Sequence, residues 1–336
     1  MQGTDFTRAI LFSLLIFRCA VASCVGPAVR TVVEYPFKTW VENIAVRANG
    51  DLLVTLIDHP ELHLISPFGP GNTTTEVSAF PDALGLLGIA EFQPDKFAVV
   101  VGNWSDVTDK TTAHSYSIWK VDMRPFQAIG SEVIRPAVVK KVVDIPEAVF
   151  LNGLTTLNWE EQTILVSDSG LGAVWKVDIL NRSYEIILQD STMAPAPPYN
   201  LGINGIHILH GHVYYTNSAL ELFVRMPIKP NGTKAGDAEI LATNHFGDDF
   251  TFDNEGNAYV TEDPGNALYK VTPEGSVLTI LGGANSSLIE GDTAAQFGRT
   301  PADSNILYIT TNGGLVNPVD GPPTGGKVIA FNVHCQ

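Results

Sequence analysis

The sequence predicts an all-β fold, a six-bladed β-propeller whose ring closes on itself. Three observations lead there. A unit of roughly 45–60 residues recurs along the chain, the spacing of four-stranded propeller blades. Apolar residues alternate with period two or run in short blocks, and the helical period is almost absent. One strand-like segment near the N-terminus is left over once the repeats are laid side by side.

Each copy has a short opening segment after a Gly or polar residue, a tight turn, a β-rich strand ending in Asp, Asn or Ser, and a third strand mixing aromatic and aliphatic residues. The first opens at Trp40–Val46, turns at Asn49-Gly50-Asp51, runs Leu52–Ile57 and returns as Leu62–Ile65. The second opens at Gly88–Phe92, runs Phe97–Val101 and returns, after a long connection, as Ser117–Asp122. The third opens at Asn152-Gly153-Leu154, runs Ile164–Ser169 and returns as Ala173–Asp178. The fourth opens at Asn204-Gly205-Ile206, the fifth at Asp248-Asp249-Phe250 and the sixth near Gly291-Asp292-Thr293. A fourth, more polar strand per copy is expected at the outer edge, as in Lys140–Asp144, because outer strands face water.

The left-over segment, Thr31–Tyr35, is expected to close the ring beside the C-terminal strands of the last blade, which removes the open edges a ring of sheets would otherwise have. That closure brings the chain ends together. Arg8, the apolar run Ala9–Phe17 and the small residues of Ala20-Val21-Ala22 read as a secretory signal peptide over residues 1–22, leaving a single propeller domain over 23–336. Cleavage removes Cys19, so Cys24 and Cys335 are expected to pair as a disulfide in an oxidising compartment. Five Asn-x-Ser/Thr sequons, at Asn72, Asn103, Asn181, Asn231 and Asn285, agree with a secreted or lumenal glycoprotein.

Charge narrows the partners. The formal net charge is −16, with no basic block to offset it. Such a surface repels phosphate backbones and anionic lipid, so neither nucleic acid nor membrane is an expected partner. The expected ligands are small apolar or aromatic molecules, bound by a monomer.

In a propeller the opening segments converge on one central channel. Here they bring Glu42, Asn43, Glu91, Asn152, Asn204, Asp248, Asp249 and Thr293 to the axis, with His207 on the fourth segment and Trp40, Phe92 and Phe250 as candidate walls. Carboxylates and amides in a ring are hard oxygen ligands of the kind that suit Ca²⁺ or Mg²⁺, although Asx and Gly at strand openings also serve simply as turn formers. The chain has no Gly-x-Ser-x-Gly elbow and no Gly-rich phosphate loop between a strand and a helix. Nucleophilic and nucleotide chemistry are therefore not expected.

The motifs Asn152-Gly153-Leu154, Leu165–Ser169 and Asp253–Tyr259 resemble those of the SMP-30/gluconolactonase/LRE-like six-bladed propellers, over nearly all of residues 31–333. That resemblance implies a divalent metal at the channel mouth, held in the lactone-hydrolysing members by a Glu, two Asn and an Asp. Glu42, Asn152 and Asp248 or Asp249 match three of these. At the repeat where the other Asn is expected stands Leu87-Gly88-Ile89-Ala90-Glu91, so no cofactor is expected, the alternative being one Ca²⁺, Mg²⁺ or Zn²⁺ in the channel. Trp40–Asn43, Gly88–Glu91, Val101–Trp104 and Phe297-Gly298-Arg299 are similar to a secreted fungal branch of these propellers tied to secondary metabolism, the hetero-Diels–Alderases. What this resemblance implies is a cofactor-free cyclase that joins a tropolone-derived quinone methide to a terpene alkene. In that reading Glu42, Asn152, Asn204, Asp249 and Thr293 act on the reacting groups, and Trp40, Asn43, Glu91, Phe92, His207 and Phe250 bind substrate. The alternatives are a metal-dependent lactone hydrolase and a non-catalytic ligand-binding propeller.

Overall fold

Six four-stranded antiparallel sheets stand around one axis in a computed structural model that describes residues 28–69, 73–105, 110–319 and 321–334. From the axis outward, blade 1 runs Val41–Val46, Leu52–Leu56, Glu61–Ile65, Thr74–Ala79, and blade 2 runs Gly85–Gln93, Lys96–Gly102, Ser117–Asp122, Val138–Asp144. Blade 3 runs Leu151–Asn158, Thr163–Asp168, Ala173–Asp178, Ser183–Gln189, and blade 4 runs Ile203–Leu209, His212–Asn217, Leu222–Pro227, Glu239–Thr243. Blade 5 runs Phe250–Phe252, Ala258–Glu262, Ala267–Val271, Val277–Gly282. Blade 6 takes Asp292–Phe297, Ile306–Thr311 and Lys327–Asn332 from the C-terminal part of the chain and its outermost strand, Val29–Glu34, from the N-terminal part.

That last pairing is antiparallel, from Val29 opposite Phe331 to Glu34 opposite Lys327, with one bulge between Thr31 and Val33. Each inner strand touches the inner strands of the blades on both sides, and blade 6 touches blade 1, so the ring is closed. Cys24, Cys335, Asn72 and the N-terminal apolar run lie outside the described residues.

The packing explains the sequence pattern. Among the described residues six apolar clusters are found, one in each gap between neighbouring blades. Inner and second strands are covered on both faces, so they read as continuous apolar blocks such as Phe97–Val101, whose alternate residues feed two different gaps. Outer strands are covered on one face and alternate, as in Ser183–Gln189. The blade 2 inner strand begins at Gly85, three residues before the sequence placed it, because Leu86 and Leu87 are themselves fully buried strand residues. Blade 2 also carries two short hairpins that the repeat pattern hid, Trp104–Ser105 with Lys110–Thr111 and Gln127–Ile129 with Glu132–Arg135.

Gly85 marks how closely the chain passes itself. A Cβ there would lie 1.8 Å from the Ile57 carbonyl oxygen, which is backbone and has no rotamer to yield. Gly85→Ala is therefore expected to destabilise by about 1–3 kcal/mol. A urea unfolding curve with an unshifted midpoint would count against the close approach.

Candidate active site at the channel mouth

A bulge near the start of the inner strands sets which side chain meets the axis. The register slips between Val41 and Asn43, Leu86 and Ile89, Leu151 and Leu154, Ile203 and Ile206, and Asp292 and Ala294. Matching the blades on these bulges puts Glu42, Leu87, Asn152, Asn204, Asp248 and Thr293 at one level around the mouth. Backbone contacts link that level from blade to blade. A Cβ on Gly88 would meet Asn152 O at 2.4 Å, one on Gly153 would meet Asn204 O at 2.7 Å, and one on Gly205 would meet Asp248 O at 2.7 Å. Asp249 N donates to Thr293 O at 3.2 Å, and Thr293 Oγ1 donates to Val41 O at 2.7 Å.

Two arcs of different character result. On the side of blades 1 to 3, Leu87 and Phe150 belong to one apolar cluster, with Trp40, Trp104, Leu171 and Leu201 packed against it. On the side of blades 4 to 6 and back to blade 1 lie acids and amides. Asn204 Nδ2 donates to Asp248 Oδ1 at 2.7 Å and to Ser218 Oγ at 3.0 Å. Asp249 accepts from Asn43 Nδ2 at 2.8 Å, and one of its oxygens lies 3.2 Å from His207 Nε2. Asp263, at the end of the second strand of blade 5, accepts from Asn312 Nδ2 at 2.9 Å, while its other oxygen is buried without a partner.

Crowding of these acids in a desolvated place raises their affinity for protons. Glu42 is pushed up to about 8, first by burial and then by Asp263, and the nearby Trp40 indole holds it down in part. The Trp40 N–H itself makes no well-formed hydrogen bond. Asp263 is pushed up to about 7 by burial, against the Asn312 hydrogen bond. Asp248 is raised well above its ordinary value by burial, Glu42, Asp263 and Asp249. At neutral pH the Glu42 carboxyl is therefore mostly protonated and able to donate a hydrogen bond.

Glu42, Asn152, Asn204, Asp248 and Asp249 stand near one level at the mouth, Trp40 and His207 border it, and the other candidates lie elsewhere or are already committed. Glu91 lies at the far end of its strand, because it follows the ring position Leu87 by four residues. There it meets Arg299 Nη1 at 2.5 Å and accepts from Asp95 N at 2.6 Å, on the opposite face. Phe92, 1% exposed, and Phe250, 0% exposed, point by strand alternation into the gaps between blades and cannot wall a pocket. Thr293 is spent on Val41 O and the Thr310 hydroxyl, 2.9 Å away, and works as a staple between blades 6 and 1. Asn43 is likewise committed, to Asp249 and to the Ile44 N–H, and positions Asp249 rather than touching a ligand. His207 keeps partial access to the channel, with its ring edge against Phe250 at 4.7 Å. Asp263 escaped the sequence reading because Glu262-Asp263-Pro264 looks like a turn. Trp104, on a connection that breaks the repeat, is the other wall beside Trp40, with ring centroids 5.4 Å apart.

The second Asn of the lactonase-type set is also relocated. Blade 2 carries Leu87 at this level, whereas the ring position of blade 4 carries Asn204. Glu42, Asn152, Asn204 and Asp248 thus share one level and amount to a Glu, two Asn and an Asp. The orphaned oxygen of Asp263 beside this ring and the mutual repulsion of its acids are features a cation would relieve. Among the described residues no group of three or more His, Cys, Asp or Glu side chains is arranged as a metal site. A groove of about 430 Å³ on the opposite face, lined by residues including Arg47, Asp51, Ser66 and Gln127, shares no residue with the ring.

No family profile matches the chain. Over 310 residues it is 28% identical to a Phoma sp. protein named "Putative hetero-Diels-Alderase", covering 84% of this chain and 86% of that one. A Sarocladium schorii protein of the same name, asR5, is 25% identical over 329 residues, covering 84% of this chain and 77% of that one. In fold, a luciferin-regenerating enzyme superposes with a TM-score of 0.65 at 15% identity, over 91% of this chain and 95% of the other. Regucalcin from Agrobacterium tumefaciens, described as a calcium-binding protein, gives 0.60 at 16% identity, over 90% and 92%. The chain is thus a six-bladed propeller with the fold of the luciferin-regenerating and regucalcin proteins, similar in sequence to fungal proteins named as hetero-Diels-Alderases.

Proposed function

We propose that this protein is a cyclase of the hetero-Diels–Alderase kind that joins an oxygen-bearing heterodiene to an alkene at the channel mouth. The observation that carries the reading is the division of the mouth into an apolar side, Trp40 and Trp104, and a side of acids and amides, Glu42, Asp248 and Asn204, in which burial raises the proton affinity of both carboxyls. A concerted cycloaddition needs no nucleophile. It needs two partners held in register, for which orientation alone can supply roughly 7–11 kcal/mol of barrier. It also gains from a donor that draws electron density from the heterodiene oxygen, and a neutral carboxylic acid in a dry site is such a donor. Similarity to the two fungal proteins supports the choice of reaction class. A secreted or lumenal location and a tropolone-derived quinone methide with a terpene partner complete the proposal.

A second reading rests on the ring composition. Glu42, Asn152, Asn204 and Asp248 fit a divalent cation, which would polarise a lactone carbonyl and activate water. Protein exhaustively treated with EDTA separates the two. The cyclase reading expects turnover of a quinone-methide precursor and humulene to persist, with the product formed as one stereoisomer. Absent cyclisation, together with lactone hydrolysis that EDTA abolishes and Ca²⁺, Mg²⁺ or Zn²⁺ restores, would favour the metal reading.

A further inference from the structure

Two places before the ring position, the blades alternate between aromatic residues and glycine: Trp40, Gly85, Phe150, Gly202, Phe246 and Gly291. At the glycines a Cβ would lie 1.8 Å from Ile57 O, 2.3 Å from Met193 O and 1.9 Å from Asn312 Oδ1, so no side chain fits. At the aromatic positions an acid near the end of the same blade's second strand takes the backbone N–H. Asp58 accepts from Trp40 N at 3.0 Å, Asp168 from Phe150 N at 2.9 Å, and Glu262 from Phe246 N at 3.1 Å. These rings are therefore fixed in place from below.

Each fixed ring meets a second ring from a loop on the mouth face. Trp40 meets Trp104 at 5.4 Å and 67°, Phe150 meets Tyr116 at 6.2 Å and 45°, and Phe246 meets Tyr199 at 5.0 Å and 76°. The Phe150 pair is buried, whereas Trp40, Trp104 and Phe246 are partly open and Tyr199 is 58% exposed. The two open pairs stand on opposite sides of the ring. Trp40 and Trp104 belong to blades 1 and 2, and Tyr199 and Phe246 to the segments that lead into blades 4 and 5. The acid ring lies between them.

An edge-to-face pair leaves a notch against which a third flat ring packs well. The net charge of −16 opposes an anion, and the ring pairs present apolar faces and edges rather than an ion-pair partner, which suits an uncharged ring. We propose that the mouth carries two separate subsites, Trp40–Trp104 and Phe246–Tyr199, each binding one flat, neutral, unsaturated ring at the same time. The inference rests on the cyclase reading only in identifying the two occupants with the two reaction partners. Trp104 and Tyr199 then decide which partners are accepted, and neither touches the Glu42 ring chemistry directly.

The test is calorimetric titration of the full chain with 2-naphthol at pH 6, where the probe is neutral. The wild type is expected to bind two molecules. Trp104→Ala and Tyr199→Ala each lose one site by tenfold or more in affinity and leave the other within twofold, the double variant loses both, and Tyr199→Phe keeps both. Melting temperatures of the variants check that the fold is intact, above all for Trp104→Ala, because Trp104 packs in part against the apolar cluster between blades 2 and 3. A single site in the wild type, or two sites that neither substitution disturbs, overturns the proposal. Turnover is not read here, so a failure of the cyclase reading shows as absent product while the site count stands on its own.

Discussion

Glu42→Ala is expected to lower the kcat of cyclisation by about 10²-fold, the cost of removing one well-placed donor from a desolvated site. Burial and the acids around it lift the Glu42 carboxyl to about 8, so at pH 7 it is an O–H donor rather than an anion. Raising the pH through 8 removes that proton, and the rate is expected to fall with it. Glu42→Gln keeps an N–H donor of similar shape. It is expected to retain activity within about tenfold of wild type and to lose the alkaline fall. Rates measured from pH 5.5 to 9.5 for the three proteins make the comparison, and a kcat that rises through pH 8 in the wild type would sink the donor role.

The same shift predicts stability. The native state holds a proton on Glu42 up to about pH 8, while the unfolded chain releases it near the ordinary value of 4.5. The stabilisation is therefore full below about pH 4.5 and lost as pH rises through 8. Melting temperature is expected to fall across that window in the wild type and to fall less in Glu42→Gln.

Asp168→Ala is expected to cost more than about 3 kcal/mol of stability. Asp168 is completely buried. It accepts from Val149 N at 3.0 Å, Phe150 N at 2.9 Å, Leu171 N at 3.0 Å and Trp175 Nε1 at 3.1 Å. Truncation leaves four donors without an acceptor, two of them, Phe150 N and Trp175 Nε1, fully buried, and each buried one costs about 1–3 kcal/mol if nothing replaces the carboxylate. Because two of those donors precede Asn152, the substitution also loosens one side of the mouth. Urea unfolding measures the first effect. A loss under 1 kcal/mol would mean that water takes over these donors, contrary to the burial.

How much of this was legible in the sequence follows from what repeats. The blades were readable because each second strand is a two-face-buried apolar block ending in a polar residue, and the structure gives that ending a purpose. Asp58, Asn103, Asp168 and Glu262 accept from backbone N–H groups leading into the inner strand of their own blade. The ring residues Glu42, Asn152, Asn204 and Asp248 could be found for the same reason, since they sit at one offset from the repeat. What breaks the repeat was hidden. Glu91 looked like a mouth residue because the blade 2 strand was begun three residues late, which shifts a side chain from one end of the channel toward the other. Phe92 and Phe250 were misplaced because alternation, not proximity to the axis in sequence, decides which face a side chain takes. Asp263 and Tyr199 lie on connections of individual length, where no neighbouring copy offers a comparison.

Cyclisation at the mouth is proposed to use only the chain's own groups, the acids and amides on one side and the aromatic walls on the other. The most direct measurement is the pH dependence of turnover by EDTA-treated protein. Full activity near pH 6, a fall as pH rises through about 8, and no alkaline fall in Glu42→Gln are expected. Turnover that appears only when a divalent cation is returned, and that climbs with pH, would contradict the proposal.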